Sequence, residues 1–236
     1  MITIYTITYN EELLIDFFIN HYRKNFPNCK IVIYDNESTD NTVKIAKNQN
    51  CEIITYSTNN QLLDSRYLEI KNNCWKLSKT EWVIVCDCDE LINISQEELK
   101  NESFNGVNII KPKGYSMVGF NDDLNLDNIK YGFRDFGYDK TILFNKNQIK
   151  EINYSIGCHN SNPEPQKDSI VVYNKKEYKL LHYKYLSEKY IKDKHKNYFQ
   201  RLSEENKQKN WGIHYINENI VNNHLENGKQ NLELLK

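Results

Sequence analysis

Residues 81–90 read Glu-Trp-Val-Ile-Val-Cys-Asp-Cys-Asp-Glu, and this stretch restricts the fold more than any other. Trp82, Val83, Ile84, Val85 and Cys86 form an unbroken apolar run. An amphipathic helix or a half-exposed strand would interleave polar residues. A continuous run of this length suits a strand buried on both faces, as in the parallel sheet of an α/β protein. The run ends at once in Asp87-Cys88-Asp89-Glu90. Open α/β sheets bind ligands beyond the carboxyl ends of their strands, so these carboxylates stand where a ligand would lie. Asp87 and Asp89 can converge on one divalent cation. A hard ion such as Mg²⁺ takes one or two carboxylates and fills its other positions with water or phosphate oxygens. The plainer reading of the same residues is a loop or helix cap.

The chain before this run alternates. Residues 2–8 (ITIYTIT) are β-branched and aromatic and predict a strand. Residues 11–24 predict a helix with Leu13, Leu14, Phe17, Phe18 and Tyr22 on its apolar stripe, Asn10 as cap, and Glu11 and Glu12 in the first turn. Residues 30–34 and 52–56 predict two more strands, and 40–48 and 60–78 two more helices. Such a β-α-β-α-β-α-β series with short connections predicts a mostly parallel central sheet with right-handed crossovers and helices on both faces. After Glu90 the pattern changes. Ser95-Gln96-Glu97-Glu98 resembles a capping box. Residues 107–112, 115–118, 140–145, 169–173 and 178–182 predict the short strands of a smaller, mixed C-terminal part. Residues 119–138 predict an irregular loop, 187–209 a charged helix, and 217–235 a last helix or tail.

Composition excludes some functions. The 236 residues carry 31 basic and 32 acidic side chains, a net charge of −1, so no global nucleic-acid footprint exists. The basic stretch 184–196 reads as a solvated helix face. None of the six cysteines forms a CxxC pair, which argues against a zinc ribbon or a redox motif. Cys86 and Cys88 share one face of a strand, a poor geometry for a disulfide. No signal peptide and no apolar run of membrane-spanning length is legible, and the expectation is a soluble cytoplasmic protein or one peripheral to a membrane.

Three loops follow the first, second and fourth strands: Thr8-Tyr9-Asn10-Glu11-Glu12, Asp35-Asn36-Glu37-Ser38-Thr39-Asp40, and Asp87-Cys88-Asp89. In a parallel sheet they share one edge, so three polar clusters meet at one crevice. A strand ending T-x-x-x-N-E, a second ending D-N-x-S-T-D-x-T and a third ending D-x-D resemble the inverting-type family 2 glycosyltransferases of the GT-A fold. Leu181-His182-Tyr183, Ser187-Glu188-Lys189-Tyr190 and Lys194 resemble a further stretch of a DxD-containing branch, one also similar to family 92. The resemblance covers residues 1–100 and, more loosely, 139–200.

It implies a single GT-A-like domain over 1–236: a nucleotide-sugar-binding half (1–100), an acceptor-binding half (101–215) and a C-terminal helix or tail (216–236). It implies transfer of a hexose-type sugar from a nucleoside diphosphate sugar, UDP-sugar first and GDP-sugar second, to a hydroxyl of a glycan, lipid-linked or protein acceptor. Thr8, Tyr9, Asn10, Glu12, Asp35 and Asn36 would hold the nucleoside, with Cys88 beside it. Gln61 and Arg66 are candidate contacts to the nucleotide or its diphosphate, although Arg66 could equally pair with Glu69 or Asp64. Asp87 and Asp89 would hold Mn²⁺ or Mg²⁺, with His182 as first choice and His159 as second to complete the shell. His214 is ambiguous, and His21, His195 and His224 read as structural. An inverting enzyme needs a carboxylate base, for which Asp122, Asp123, Asp135 and Asp139 are available and the pair Asp139 and Asp135 is preferred.

Two other enzyme classes compete. A haloacid-dehalogenase-type phosphatase also ends an apolar strand in D-x-D, with Asp87 as nucleophile and Asp89 as general acid. Against it, three βα units precede the motif and Glu90-Leu91 follow it. A sugar nucleotidyltransferase would carry a Gly-rich loop after its first strand, and residues 8–12 hold no glycine.

Overall fold

The computed structural model describes residues 1–120, 124–212, 215 and 218–236. Asp122, Asp123 and His214 lie outside the described residues. The first half runs β1 (Ile2–Thr8), α1 (Ile15–Asn25), β2 (Lys30–Asp35), α2 (Thr42–Asn48), β3 (Glu52–Thr55), α3 (Asp64–Asn73) and β4 (Trp82–Asp87). Then follow β5 (Glu90–Asn93), α4 (Gln96–Phe104), β6 (Ile109–Ile110), β7 (Lys113–Val118), β8 (Tyr131–Arg134), β9 (Leu143–Asn145), β10 (Ile149–Glu151), β11 (Glu164–Pro165) and β12 (Lys179–Tyr185). The chain closes with α5 (Glu188–Arg201), α6 (Glu204–Gln208), α7 (Glu218–Lys229) and β13 (Glu233–Leu234).

The central sheet has the order β3-β2-β1-β4-β9-β6. Its first four strands are parallel, and β9 runs antiparallel to both β4 and β6. This is the mostly parallel α/β central sheet expected from the sequence. The unbroken apolar runs serve two cores because side chains alternate across a strand. Ile2, Ile4, Ile31, Ile33, Ile84 and Cys86 pack with Phe18, Ile19 and Tyr22 of α1. Tyr5, Val32, Val83 and Val85 face the other way, against Trp75, Phe144 and Leu68 of α3.

A second sheet has the order β13-β8-β7-β12-β5. β5 follows β4 after two residues but belongs to this other sheet, where Glu90 pairs with His182 of β12. Asp87-Cys88-Asp89 is therefore the junction at which the chain leaves one sheet for the other. β5 is not among the strands expected from the sequence, because its four residues are too few to stand out beside the longer run.

Several expected boundaries differ. Asn10 does not cap α1, whose N-cap is Leu14; Asn10 takes a left-handed conformation (φ 54°) and bonds across to Thr39 instead. The helix expected over 187–209 breaks at Leu202 and Ser203, where Leu202 bridges to Leu62 and Ser203 caps α6. Residues 169–173 make only an isolated bridge at Tyr173, and the loop expected over 119–138 contains β8. The capping box at Ser95 is present: its hydroxyl accepts from Glu98 N–H, and the Glu98 carboxylate accepts from Ser95 N–H at 2.8 Å.

Candidate active site

The ends of β1, β4 and β12 and one side of α3 and α5 enclose a cleft of about 470 Å³. Its walls include Thr8, Tyr9, Cys88, Asp87, Asp89, His159 and His182. They also include Glu11, Asp64, Glu90, Tyr138 and Lys194, together with Lys71, Lys140, Lys184, Tyr198 and Arg201, which the sequence reading did not single out. His195, expected to be structural, lines it too.

Carboxylates and ammonium groups interlock here. Lys71 Nζ lies 2.5 Å from Asp87 Oδ1, and Lys140 Nζ lies 3.6 Å from Asp87 Oδ2 and 2.5 Å from Glu90 Oε1. Glu90 Oε2 accepts from Asp87 N–H, which fixes the turn into β5. Burial opposes ionisation of Asp87, but Lys71 and Lys140 outweigh it and hold its pKa below the ordinary value. Asp89 Oδ2 lies 3.4 Å from His182 Nε2 and 3.5 Å from Lys194 Nζ. Burial again works against the charge, and His182 and Lys194 overcome it, so Asp89 stays ionised well below the usual carboxylate range. Lys194 also reaches Glu11 at 3.3 Å. Burial wins at Glu11, whose pKa is pushed up to about 7 despite Lys194.

A divalent cation fits this arrangement through Asp89 and His182. Among the described residues no three His, Cys, Asp or Glu side chains form a ready-made metal cage. A hard ion does not require one, since one or two protein ligands and phosphate oxygens suffice. His182 Nδ1 is buried and has no hydrogen-bond partner among the described residues, and the ring stacks on Tyr138 with centroids 3.8 Å apart, which fixes Nε2 toward Asp89. His159 lines the cleft, but its Nδ1 is engaged by the carbonyl of Gly137 at 2.6 Å.

Other expected residues stand behind the wall. Asp35 is 2% exposed; it accepts from Thr8 Oγ1–H at 3.1 Å and from Ser38 N–H at 3.0 Å. Asn36 is buried and donates to Thr58 Oγ1. Asn10 and Glu12 hold the first loop to the second: Thr39 N–H donates to Asn10 Oδ1, and Asn41 N–H donates to Glu12 Oε2. These four side chains shape the loop that presents Thr8 and Tyr9. Gln61 lies on the surface, and Arg66 pairs with Glu69 at 2.5 Å outside the cleft. Asp139 accepts from Gly114 N–H and pairs with Arg134 at 2.6 Å. Asp135 accepts from Ser116 Oγ–H and from Gly137 N–H. Neither aspartate is part of the cleft wall, though Asp135 is near enough to Lys184 for its charge to favour that ammonium group.

Residues 3–101 match the model of glycosyl transferase family 2. No curated protein matches the chain. Among solved structures it is similar to S. aureus TarS 1-349, at 16% identity and a TM-score of 0.48, over 83% of this chain and 62% of that one. It is also similar to the mannosyltransferase PcManGT from Pyrobaculum calidifontis in complex with GDP-Man and Mn²⁺, at 17% identity and a TM-score of 0.36, over 52% and 36%. A third likeness is to glucosyl-3-phosphoglycerate synthase from Mycobacterium tuberculosis, at 14% identity and a TM-score of 0.35, over 49% and 44%. The chain thus spans about three fifths of TarS 1-349 and less of the others. The segment that carries Thr8, Asn10, Asp35, Asp87 and Asp89 is the one that matches the glycosyl transferase family 2 model.

Proposed function

We propose that the chain transfers a sugar from a nucleoside diphosphate sugar to a hydroxyl acceptor. The observation that carries this reading is the meeting of Tyr9, Asp89, His182 and a row of ammonium groups in one cleft at the sheet edge. The nucleoside lies against Thr8 and Tyr9, with uridine the first donor base and guanosine the second. Asp89 and His182 would hold Mn²⁺ or Mg²⁺, which supplies neutralisation of the diphosphate charge that grows as the sugar–phosphate bond breaks. Lys184 and Lys194 face the same space and add positive charge that needs no metal. Displacement with inversion requires a carboxylate on the acceptor side. Asp135 suits this better than Asp139, because it accepts from the neutral donors Ser116 Oγ–H and Gly137 N–H, whereas Asp139 is tied to the Arg134 guanidinium.

The phosphatase reading fits less well, because its nucleophile, Asp87, has an ammonium group at each oxygen. A thermal-shift panel of nucleotide sugars with and without Mn²⁺ separates the two. A shift with a nucleoside diphosphate sugar supports the transferase, whereas no shift with any of them, or phosphate trapped on Asp87, sinks it. Asp135→Asn should lower kcat by about a hundredfold while donor affinity holds. Unchanged turnover removes Asp135 as the base.

A further inference from the structure

Arg201 ends α5 and lines the cleft, yet its residue is only 6% exposed. Its Nε–H donates to the carbonyl and to Oδ1 of Asn60, both at 3.1 Å, and its guanidinium lies over the Tyr9 ring. The two terminal nitrogens, Nη1 and Nη2, are buried and meet no acceptor among the described residues. A guanidinium stays charged in proteins, and buried donors without acceptors are costly. The side chain is nonetheless held firmly in place. Leu62 N–H donates to the Arg201 carbonyl, Ser203 N–H donates to the Leu62 carbonyl, and Tyr9 Oη–H donates to Asn60 Oδ1 at 2.9 Å. A fixed pair of unmade donors beside a cleft is what a site lacking its ligand presents.

The surroundings favour a nucleobase over a phosphate as the missing acceptor. The guanidinium lies against the Tyr9 ring, and its charge acts on the phenols of Tyr56 and Tyr67. The ammonium group suited to phosphate, Lys194, stands instead with Asp89. Thr8 and Tyr9, the contacts proposed for the nucleoside, belong to the same loop as the ring that Arg201 covers. We infer that Arg201 reads the keto oxygen of the donor's base and so selects uracil or guanine over cytosine or adenine. Cytosine and adenine present an amino donor at the matching position, which would oppose the guanidinium donor to donor. This inference rests on the transferase reading above and extends it to a residue far from the family segment.

Calorimetry with UDP, CDP, GDP, ADP and inorganic pyrophosphate tests it on the wild-type chain, Arg201→Met and Arg201→Lys. The wild type should prefer a keto base over its amino counterpart by about tenfold or more. Arg201→Met should erase that preference and leave pyrophosphate affinity unchanged. Arg201→Lys, which keeps the stem and the charge, should retain part of the preference and carries the test if the methionine variant fails to fold. The inference is overturned if the variants keep the full preference, or if they lose pyrophosphate and UDP alike, which would make Arg201 a phosphate contact. Absence of wild-type binding to every nucleoside diphosphate would instead overturn the transferase reading on which it stands.

Discussion

At the scale of single residues, Glu11 shows how burial and charge compete. Its carboxylate shares the Lys194 ammonium group with Asp89, and desolvation lifts its pKa from an ordinary 4.5 to about 7. In the unfolded chain it ionises near the ordinary value. The folded state therefore binds the extra proton across the window from about pH 4.5 to 7, and the stability this brings is present below that window and lost as pH rises through it. Glu11→Gln should flatten the pH dependence of unfolding there and make the variant the more stable protein above pH 7, by up to about 3 kcal/mol. Denaturant melts at pH 5 and pH 8 check the sign; a wild type that gains stability between them contradicts it. Glu11 stands in the T-x-x-x-N-E pattern, but nothing in that pattern says its carboxylate is buried. Lys194 lies more than a hundred residues away in sequence.

At the scale of elements, the close approach of β7 to the turn after β8 sets the back of the cleft. A Cβ built on Gly114 would lie 2.5 Å from the carbonyl carbon of Tyr138, and backbone cannot step aside as a side-chain tip can. Tyr138 in turn stacks on His182 and carries Lys140 over its ring at 4.9 Å. Gly114→Ala should therefore displace Tyr138, reduce turnover at least about tenfold and lower stability by about 1–3 kcal/mol. Wild-type turnover with an unchanged melting temperature would show that Tyr138 does not position His182. The neighbouring strand β12 illustrates what pattern can reveal. His182 and Lys184 are two residues apart and so share a face, and both line the cleft. Arg201 gave no such signal, since its role depends on where α5 ends against residue 62.

At the scale of the whole molecule, the acidic junction is already compensated by the chain's own cations. Lys71 and Lys140 serve Asp87 and Glu90, and Lys194 serves Asp89 and Glu11. Chelation should accordingly abolish sugar transfer while moving the melting temperature by no more than about 2 °C, and added Mn²⁺ should restore activity. Full turnover in excess chelator would end the metal's role, and collapse of the fold would show that the ion is structural. No helix among the described residues is long and apolar enough to cross a membrane. The parallel half of the fold was legible because apolar runs and their polar ends repeat locally, at the period of each element. The β-α alternation, the acidic motif and the three loops of one sheet edge all follow from such local repetition. The second sheet, the lysines that meet the acids and the retreat of Asp35, Asp135 and Asp139 behind the wall were not legible. They arise from contacts between distant segments, where burial and charge pairing are settled by packing and leave no periodic trace in the chain.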